Sequence, residues 1–432
     1  MSLSNALQSS VSGLNTTSTA ISVIGNNIAN VNTTGFKEGR AEFSDVLGQT
    51  LTSAGGFSSI GAGAKLSQVS TIFSQGTFES TARPTDLAIQ GQGFFVLDGT
   101  QGRNYSRAGI FQIDNQGTLV NPVGLRVQGF GIDPASGTSN GQLGDITLST
   151  AFSPPSPTSL LNISMNLDPA ATIIPGGFDP TDPVSPATTA NFNQGMTFFD
   201  SLGNSHFATL RFNRTGAGSW DYVATLDAAD TTIAPLPGAT DVVQGSGTLS
   251  FDASGNLTAA TGSPMTFEFS GGSVPSQSVA LNFGPIAGIG TGGITSSYGG
   301  DSTTNNFNQD GFAAGTLQSI NVDREGFLTG QFSNGETLAL AQIALTSFPN
   351  VEGLSAAGDG NFLASRKSGQ ALIGTAGSGS FGSIRSGALE QSNVDLAAQF
   401  VKLIVNQRAF QANTRTVSTA NELMANLVSL GQ

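Results

Sequence analysis

The fold is decided by residues 1–31, MSLSNALQSSVSGLNTTSTAISVIGNNIANV, and by their counterpart at the other end, residues 389–428, LEQSNVDLAAQFVKLIVNQRAFQANTRTVSTANELMANLV. In both stretches apolar residues recur every seven positions. They are Leu7, Leu14, Ile21 and Ile28 with companions Leu3, Ile24 and Val31, and Leu403, Phe410, Val417 and Met424 with companions Phe400 and Val428. Such spacing is typical of helices that bury a narrow stripe against a partner. We therefore predict paired coiled-coil helices whose apolar residues contact other subunits.

The amino-terminal helix is predicted to be stable only in an assembly. No charged residue occurs from Ser2 to Phe36, and Gly13 and Gly25 interrupt a segment of mediocre helix propensity. Most helical stability comes from packing. We expect this segment to be disordered in the free subunit and to pack between subunits. The alternative is an internal helix of a globular domain.

The chain between the two ends is predicted to be rich in β-structure. Residues 85–148 alternate short apolar runs with Gly, Asn and Asp corners, which is typical of a β-meander. Residues 206–212 and 220–226 alternate apolar and polar around a Gly-containing turn, which predicts a β-hairpin. Prolines concentrate in residues 151–187 and predict a domain boundary where that stretch begins.

The predicted architecture is a mainly β, nested, multidomain subunit with long terminal helices, in which the outer β domain is inserted in the inner one. The ranges are 1–34 and 388–432 for the helical core, 35–84 and 364–387 for a connecting region, 85–148 and 285–363 for the inner β domain, and 149–284 for the inserted outer β domain.

Composition excludes several function classes. Among the 432 residues, 29 are acidic and 16 basic, giving a net charge of −13 that offers no support for nucleic-acid binding. There is no cysteine, and the single histidine, His206, is interpreted as an ordinary exposed strand residue. We therefore predict no metal, cofactor or catalytic residue.

Gly288, Gly290 and Gly293 match a dinucleotide fingerprint, but the helix that this fingerprint requires is not predicted after them.

No secretory signal or membrane span is predicted. Residues 1–30 lack the basic and compact apolar regions of a secretory signal, and no stretch reaches the roughly 18 apolar residues of a membrane helix.

Four motifs resemble the axial proteins of the bacterial flagellum, a family of rod and hook proteins. They are GNNIANVNTTGFK (25–37), DLAIQGQGFFVL (86–97), YSRAGIF (105–111) and LEQSNVDLAAQFVKLIVNQRAFQAN (389–413). The chain length, FFDSLGNSHFATLRF (198–212) and NFNQDGFAAGTLQSINVDREGFLTGQFSNGE (306–336) resemble the hook-type members in particular. Phe410 stands where the family often has Tyr.

The resemblance implies a non-enzymatic subunit of the flagellar hook, a curved, hollow and flexible tube that transmits motor torque from rod to filament as a universal joint. It implies partners: other copies of the chain, the distal rod, the hook cap, the hook-filament junction proteins and the type III export apparatus. It also implies an extracellular location in the hook, reached without a cleaved signal peptide.

The charges of the carboxyl-terminal helix predict which of its faces meets the channel of such a tube. Arg408, Arg415 and Glu422 share one heptad position opposite the apolar seam, with Lys402 adjacent. We expect this stripe to be channel-facing, with the uncharged amino-terminal helix between it and the outer structure.

Two other functions remain open at this point. A distal rod subunit would share both ends but would lack the inserted domain. A secreted β-rich adhesin would account for the acidic middle but would not need paired heptads.

Overall fold

The computed structural model describes residues 3–47, 50–53, 56–59, 61–99, 102–133, 137–148, 152–174, 190–235, 237, 240–271, 274, 276–286 and 294–430. Their contacts divide the chain into two compact units. Unit 1 comprises Met1–Ala151, Ser319–Gln331 and Thr337–Gln432, and unit 2 comprises Phe152–Gln318 and Phe332–Glu336. The helices are α1 (Leu3–Ala29) and α2 (Leu396–Leu430), and Val351–Gly353 forms one 3₁₀ turn.

The strands follow in chain order. Those of the first part are β1 (Gly39–Asp45), β2 (Thr50–Ser53), β3 (Gly56–Ser59), β4 (Ala64–Thr71), β5 (Phe78–Ser80), β6 (Leu87–Gln90), β7 (Phe94–Gly99), β8 (Gly102–Ser106), β9 (Gln112–Ile113), β10 (Leu119–Val120), β11 (Arg126–Ile132) and β12 (Ser139–Asp145). Next come β13 (Phe152–Ser153), β14 (Leu160–Asn166), β15 (Phe192–Phe199), β16 (Ser205–Gly216), β17 (Ser219–Asp227), β18 (Asp241–Phe251), β19 (Leu257–Ala260), β20 (Met265–Phe267), β21 (Gln277–Asn282) and β22 (Thr303–Gln309). The last are β23 (Gly315–Val322), β24 (Phe327–Phe332), β25 (Thr337–Ser347), β26 (Ser355–Gly358), β27 (Asn361–Leu363), β28 (Leu372–Thr375), β29 (Ser383–Ser386) and β30 (Ala388–Glu390).

In unit 1 a central sheet is buried on both faces. Its strands follow the order β24-β25-β11-β7-β8-β27-β26. Strand β7 reads FFVL because its alternate side chains enter two different clusters: Phe95 and Leu97 join one, and Phe94 and Val96 join the other. A strand covered on both sides needs apolar residues at successive positions rather than at every second one.

In unit 2 two sheets enclose one core. The five-stranded sheet β15-β16-β17-β18-β19 and the four-stranded sheet β20-β21-β14-β22 contribute alternate side chains to a single cluster that includes Phe198, Trp220 and Phe267. The predicted hairpin is confirmed, since β16 pairs antiparallel with β17 from Ala208 opposite Leu226 to Gly216 opposite Ser219.

The prediction that His206 is exposed is wrong. His206 lies on the same face of β16 as Ala208 and Leu210 and is buried with them. Its ring stacks on Phe269, and its Nε2 lies 3.3 Å from Oδ2 of Asp200. The alternation that predicts the hairpin therefore also places this histidine inside.

The structure differs from the sequence-based boundaries at two places. Strand β22 pairs with β14, so contacts assign the chain up to Gln318 to unit 2, whereas the predicted boundary falls at residue 284. The carboxyl-terminal helix begins at Leu396 rather than near residue 388, because β30 precedes it and Asp395 caps it: Oδ1 of Asp395 accepts hydrogen bonds from the backbone N–H groups of residues 397 and 398. Gly288, Gly290 and Gly293 lie outside the described residues.

Neither α1 nor α2 has, within its described residues, an apolar stretch sufficient to span a membrane.

Candidate assembly interface

Helices α1 and α2 pack against each other within the chain and run antiparallel. Gly13 lies against the side chain of Asn413, and Nδ2 of Asn27 donates a hydrogen bond to Oε1 of Gln399 at 3.3 Å. Fourteen residues therefore separate the two contacts on each helix, which is about 21 Å at 1.5 Å per residue.

The residues that face each other in this pair are small or polar. At the seven-residue spacing fixed by the two contacts, the facing positions are Ala6, Gly13, Ala20 and Asn27 on α1 and Ala420, Asn413, Asn406 and Gln399 on α2. Ala20, Asn27, Gln399 and Ala420 are buried, and Ala20 and Asn406 line one groove. Small residues let two helix backbones approach closely. On α1 the pair thus closes on a heptad one residue before the predicted apolar one, and on α2 on a heptad three residues after it.

The predicted apolar heptad of α1 lies beside this closed seam. Ile24 is buried, whereas Leu7, Leu14, Ile21, Ile28 and Val31 are only partly buried; the side chain of Leu3 is outside the described residues. In α2, Leu403 and Val417 are partly buried and Phe410 and Met424 are exposed. The side chain of Val428 is not among those described.

One face of the first three turns of α2 is apolar and exposed. Phe400, Val401, Ile404 and Val405 are between 50% and 62% exposed, and Leu396 begins the same face. At 100° per residue, Ile404 points about 200° away from Asn406 and hence away from α1. Large aliphatic and aromatic side chains that are half exposed or more on one face are typical of a surface that meets another protein.

The same face becomes charged farther along the helix. Arg408, Arg415 and Glu422 are all exposed and follow one heptad position. Lys402 is separate from them, because its ammonium group donates a hydrogen bond to Oε1 of Glu38 at 2.8 Å on the side nearer to α1.

A polar joint connects both helices to the β-strands. The side chain of Asn27 both accepts from the N–H of Gly39, at 2.9 Å, and donates to its carbonyl, at 2.8 Å, as a neighbouring strand would. Glu38 accepts from Nε2 of Gln399 at 2.7 Å as well as from Lys402. Asn393 accepts from the N–H of Glu38 at 2.7 Å. The end of α1 and the start of α2 are thereby held in one place.

Beneath this joint lies a buried ion cluster that the sequence analysis does not predict. Glu390 is fully buried; its Oε1 lies 2.5 Å from Nζ of Lys37, and its Oε2 lies 3.2 Å from NH1 of Arg107. Lys37 also donates to the carbonyl of Ser74, and Gly76 donates its N–H to Glu390. Burial lowers the pKa of Lys37, an effect that the attraction of Glu390 opposes.

The cluster joins three of the motifs singled out in the sequence: GFK at 35–37, SRAG at 106–109 and LEQSN at 389–393. Gly35 has a φ of +70° and lies so close to the backbone of Ala108 that a Cβ would be 2.5 Å from its nitrogen. The available signal was the presence of charged residues in motifs of a chain with only 10% charged residues.

Family models match most of this architecture. The description "Flagella basal body rod protein" matches residues 7–37, and "Flagellar basal body rod FlgEFG protein C-terminal" matches 385–430. "Flagellar hook protein FlgE/F/G D1 domain" matches 88–166, and "Flagellar basal body protein FlaE D2 domain" matches 162–312.

Relatives of similar length extend the match to nearly the whole chain. The flagellar hook protein FlgE of Borreliella burgdorferi is 34% identical, covering 98% of this chain and 99% of the relative. The flagellar hook proteins FlgE of Escherichia coli and Salmonella typhimurium are 35% and 36% identical over 98% and 97% of this chain, and 100% and 98% of their own. The crystal structure of Helicobacter pylori flagellar hook protein FlgE2 matches with a TM-score of 0.48 at 15% identity, over 71% of this chain and 99% of that one.

Proposed function

This chain belongs to the flagellar hook protein FlgE family, and on that premise we propose that it is a structural, non-enzymatic subunit of the bacterial flagellar hook. Copies of the chain polymerise into a curved, flexible, hollow tube that transmits motor torque from rod to filament.

The observation that carries the proposal is that different residues of the terminal helices make the contact within the chain and form the exposed apolar surface. Small and polar residues close the pair within one chain, which leaves the large apolar residues of α2 exposed and those of α1 partly exposed. Burying such side chains contributes roughly 1.5–3 kcal/mol each. Contacts with neighbouring copies can supply that burial, so the site residues proposed for assembly are the apolar heptads of both helices together with the exposed face of α2.

Residues 162–312 support a hook subunit over a distal rod subunit. They match the FlaE D2 model and form most of unit 2, the inserted part that a rod-type chain would lack. The adhesin alternative has no such support.

The proposed orientation in the tube follows from charge. Arg408, Arg415 and Glu422 would line the water-filled channel, since charged groups keep their hydration there. The further proposed partners are the distal rod, the hook cap, the hook-filament junction proteins and the type III export apparatus, which would deliver the chain without a cleaved signal.

Electron microscopy of tubes grown from the full-length chain tests the proposal. Ile404→Asp is expected to abolish tube formation, because the new carboxylate would be desolvated at the contact between copies. Gln411→Asp is the matched control: it lies one heptad later on the same exposed face of α2, in the part proposed to meet the channel. It should leave tube yield unchanged.

Two results would count against the proposal. Normal tubes from Ile404→Asp would remove the exposed face of α2 from the assembly contacts. Failure of the unaltered chain to polymerise on hook seeds would argue against a hook subunit altogether.

A further inference from the structure

Gly13 is the position at which α1 approaches a side chain of α2 most closely among the glycines of that helix. A Cβ added at Gly13 would lie 2.7 Å from Nδ2 of Asn413 and within 3.2 Å of the other two terminal atoms of its amide. The amide of Asn413 therefore occupies the space that a side chain would take.

A second glycine in the same helix supplies the comparison. A Cβ at Gly25 would meet nothing within 4 Å. Glycine inside a helix makes that helix less stable than alanine would. That cost has a packing reason at Gly13 and none at Gly25.

The Asn27–Gln399 hydrogen bond distinguishes between helix registers that the Gly13–Asn413 contact alone would allow. Gln399, Asn406 and Asn413 are seven residues apart, so a slide of one heptad would place Asn406 over Gly13 and preserve that contact. The same slide would bring Gln399 opposite Ala20 and away from Asn27, and the hydrogen bond would be lost. A slide in the other direction would press Asn413 against Ala20.

We propose that the Gly13–Asn413 contact and the Asn27–Gln399 hydrogen bond together set the register of the terminal helix pair. Buried polar residues are known to specify register in helix pairs at some cost in stability. A fixed register keeps the apolar heptad of α1 at a constant position relative to the exposed face of α2. This inference deepens the proposed assembly function and rests on it, but its readout is a distance within one chain rather than the formation of tubes.

The distance between two spin labels reports the register directly. The chain has no cysteine, so Ser18→Cys and Gln411→Cys, both at exposed positions, give one labelled pair in the full-length chain. Gly13→Ala/Gln399→Ala removes both determinants, and we expect its mean distance to shift or split by up to about 10 Å, the length of one heptad.

Three further variants separate register from helix propensity. Gly25→Ala should keep the original distance and raise the melting temperature of the helices. Gly13→Ala should broaden the distance distribution, and it should not raise the melting temperature as Gly25→Ala does. Gly13→Ala/Asn413→Ala should return the distance distribution to its original width and raise the melting temperature, because the smaller side chain at position 413 makes room for the new Cβ.

The distances are measured in the free chain and, where tubes form, in tubes diluted with unlabelled chain. An unchanged distance in Gly13→Ala/Gln399→Ala would overturn the inference, as would a broad distribution in the unaltered chain in every state measured. If the distances behave as expected but no tube forms, the inference stands and the proposed function fails.

Discussion

At the residue scale, Glu390 carries the connection between the terminal helices and the β-strands. Its carboxylate contacts two buried cations, Lys37 and Arg107. Replacing a buried ion by a neutral group leaves the partner charges uncompensated, which commonly costs about 3–5 kcal/mol.

We therefore expect Glu390→Gln to destabilise unit 1 by about 3–5 kcal/mol in urea unfolding followed by circular dichroism. Glu42→Gln is the matched control, because Glu42 pairs with an Arg40 side chain that is 61% exposed. Water can replace that interaction, so little change is expected. Equal effects of the two variants would contradict the assigned role of the buried cluster.

Sequence alone could not assign this cluster. Lys37, Arg107 and Glu390 are 70 and 283 positions apart along the chain, and their meeting depends on strand pairings with long separations. Sequence alone also could not identify the residues of α1 that face α2. The periodicity of α1 predicts a helix correctly, but the large apolar residues that produce this periodicity are not the ones that face α2.

At the element scale, four loops share one construction, with the pattern Asp-x-x-Gly. They begin at Asp114, Asp200, Asp252 and Asp323. In each, Oδ1 of the aspartate accepts from the N–H groups two and four residues later, and the glycine has a φ between +77° and +86°. The side chain thereby replaces a missing strand partner and sets the reversal locally.

Local loops of this kind are the part of the fold that sequence predicts best. The loops that begin at Asp200 and Asp252 join β15 to β16 and β18 to β19, and the predicted hairpin of β16 and β17 closes through another local turn, which contains glycine. The start of α2 was predicted less well, because the absence of Gly and Pro after residue 387 does not reveal that β30 pairs with β5.

We expect Asp323→Ala to destabilise unit 1 by about 1 kcal/mol, since two backbone N–H groups lose their acceptor. Asp323→Asn should cost less, because an amide oxygen can accept in the same place. Thermal unfolding of the full chain measures both. A loss as large for asparagine as for alanine would show that charge, rather than acceptor geometry, stabilises the loop.

At the scale of the whole molecule, each unit has its own buried apolar cluster. Units with separate cores are expected to unfold in separate cooperative steps. The single tryptophan, Trp220, is fully buried in unit 2 and makes its emission a probe of that unit alone.

Glu390→Gln should therefore move the urea transition of unit 1 and leave the Trp220 transition in place. Circular dichroism and fluorescence recorded on one sample test this. Coincident shifts in both signals would contradict separate unfolding.

The mainly β architecture with terminal helices was predictable from the composition and the periodicity of the sequence. The extent of unit 2 was not, since β22 pairs with β14 from 137 residues away.

The antiparallel course of α1 and α2 has a practical consequence for anyone who wishes to tag this protein. Because Gly13 faces Asn413 and Asn27 faces Gln399, the beginning of α1 and the end of α2 lie at the same end of the helix pair. An affinity peptide joined before α1 or after α2 would emerge at that same end, so moving it from one helix to the other would not change its surroundings. An exposed turn such as the one at Gly335 is the better place for an epitope.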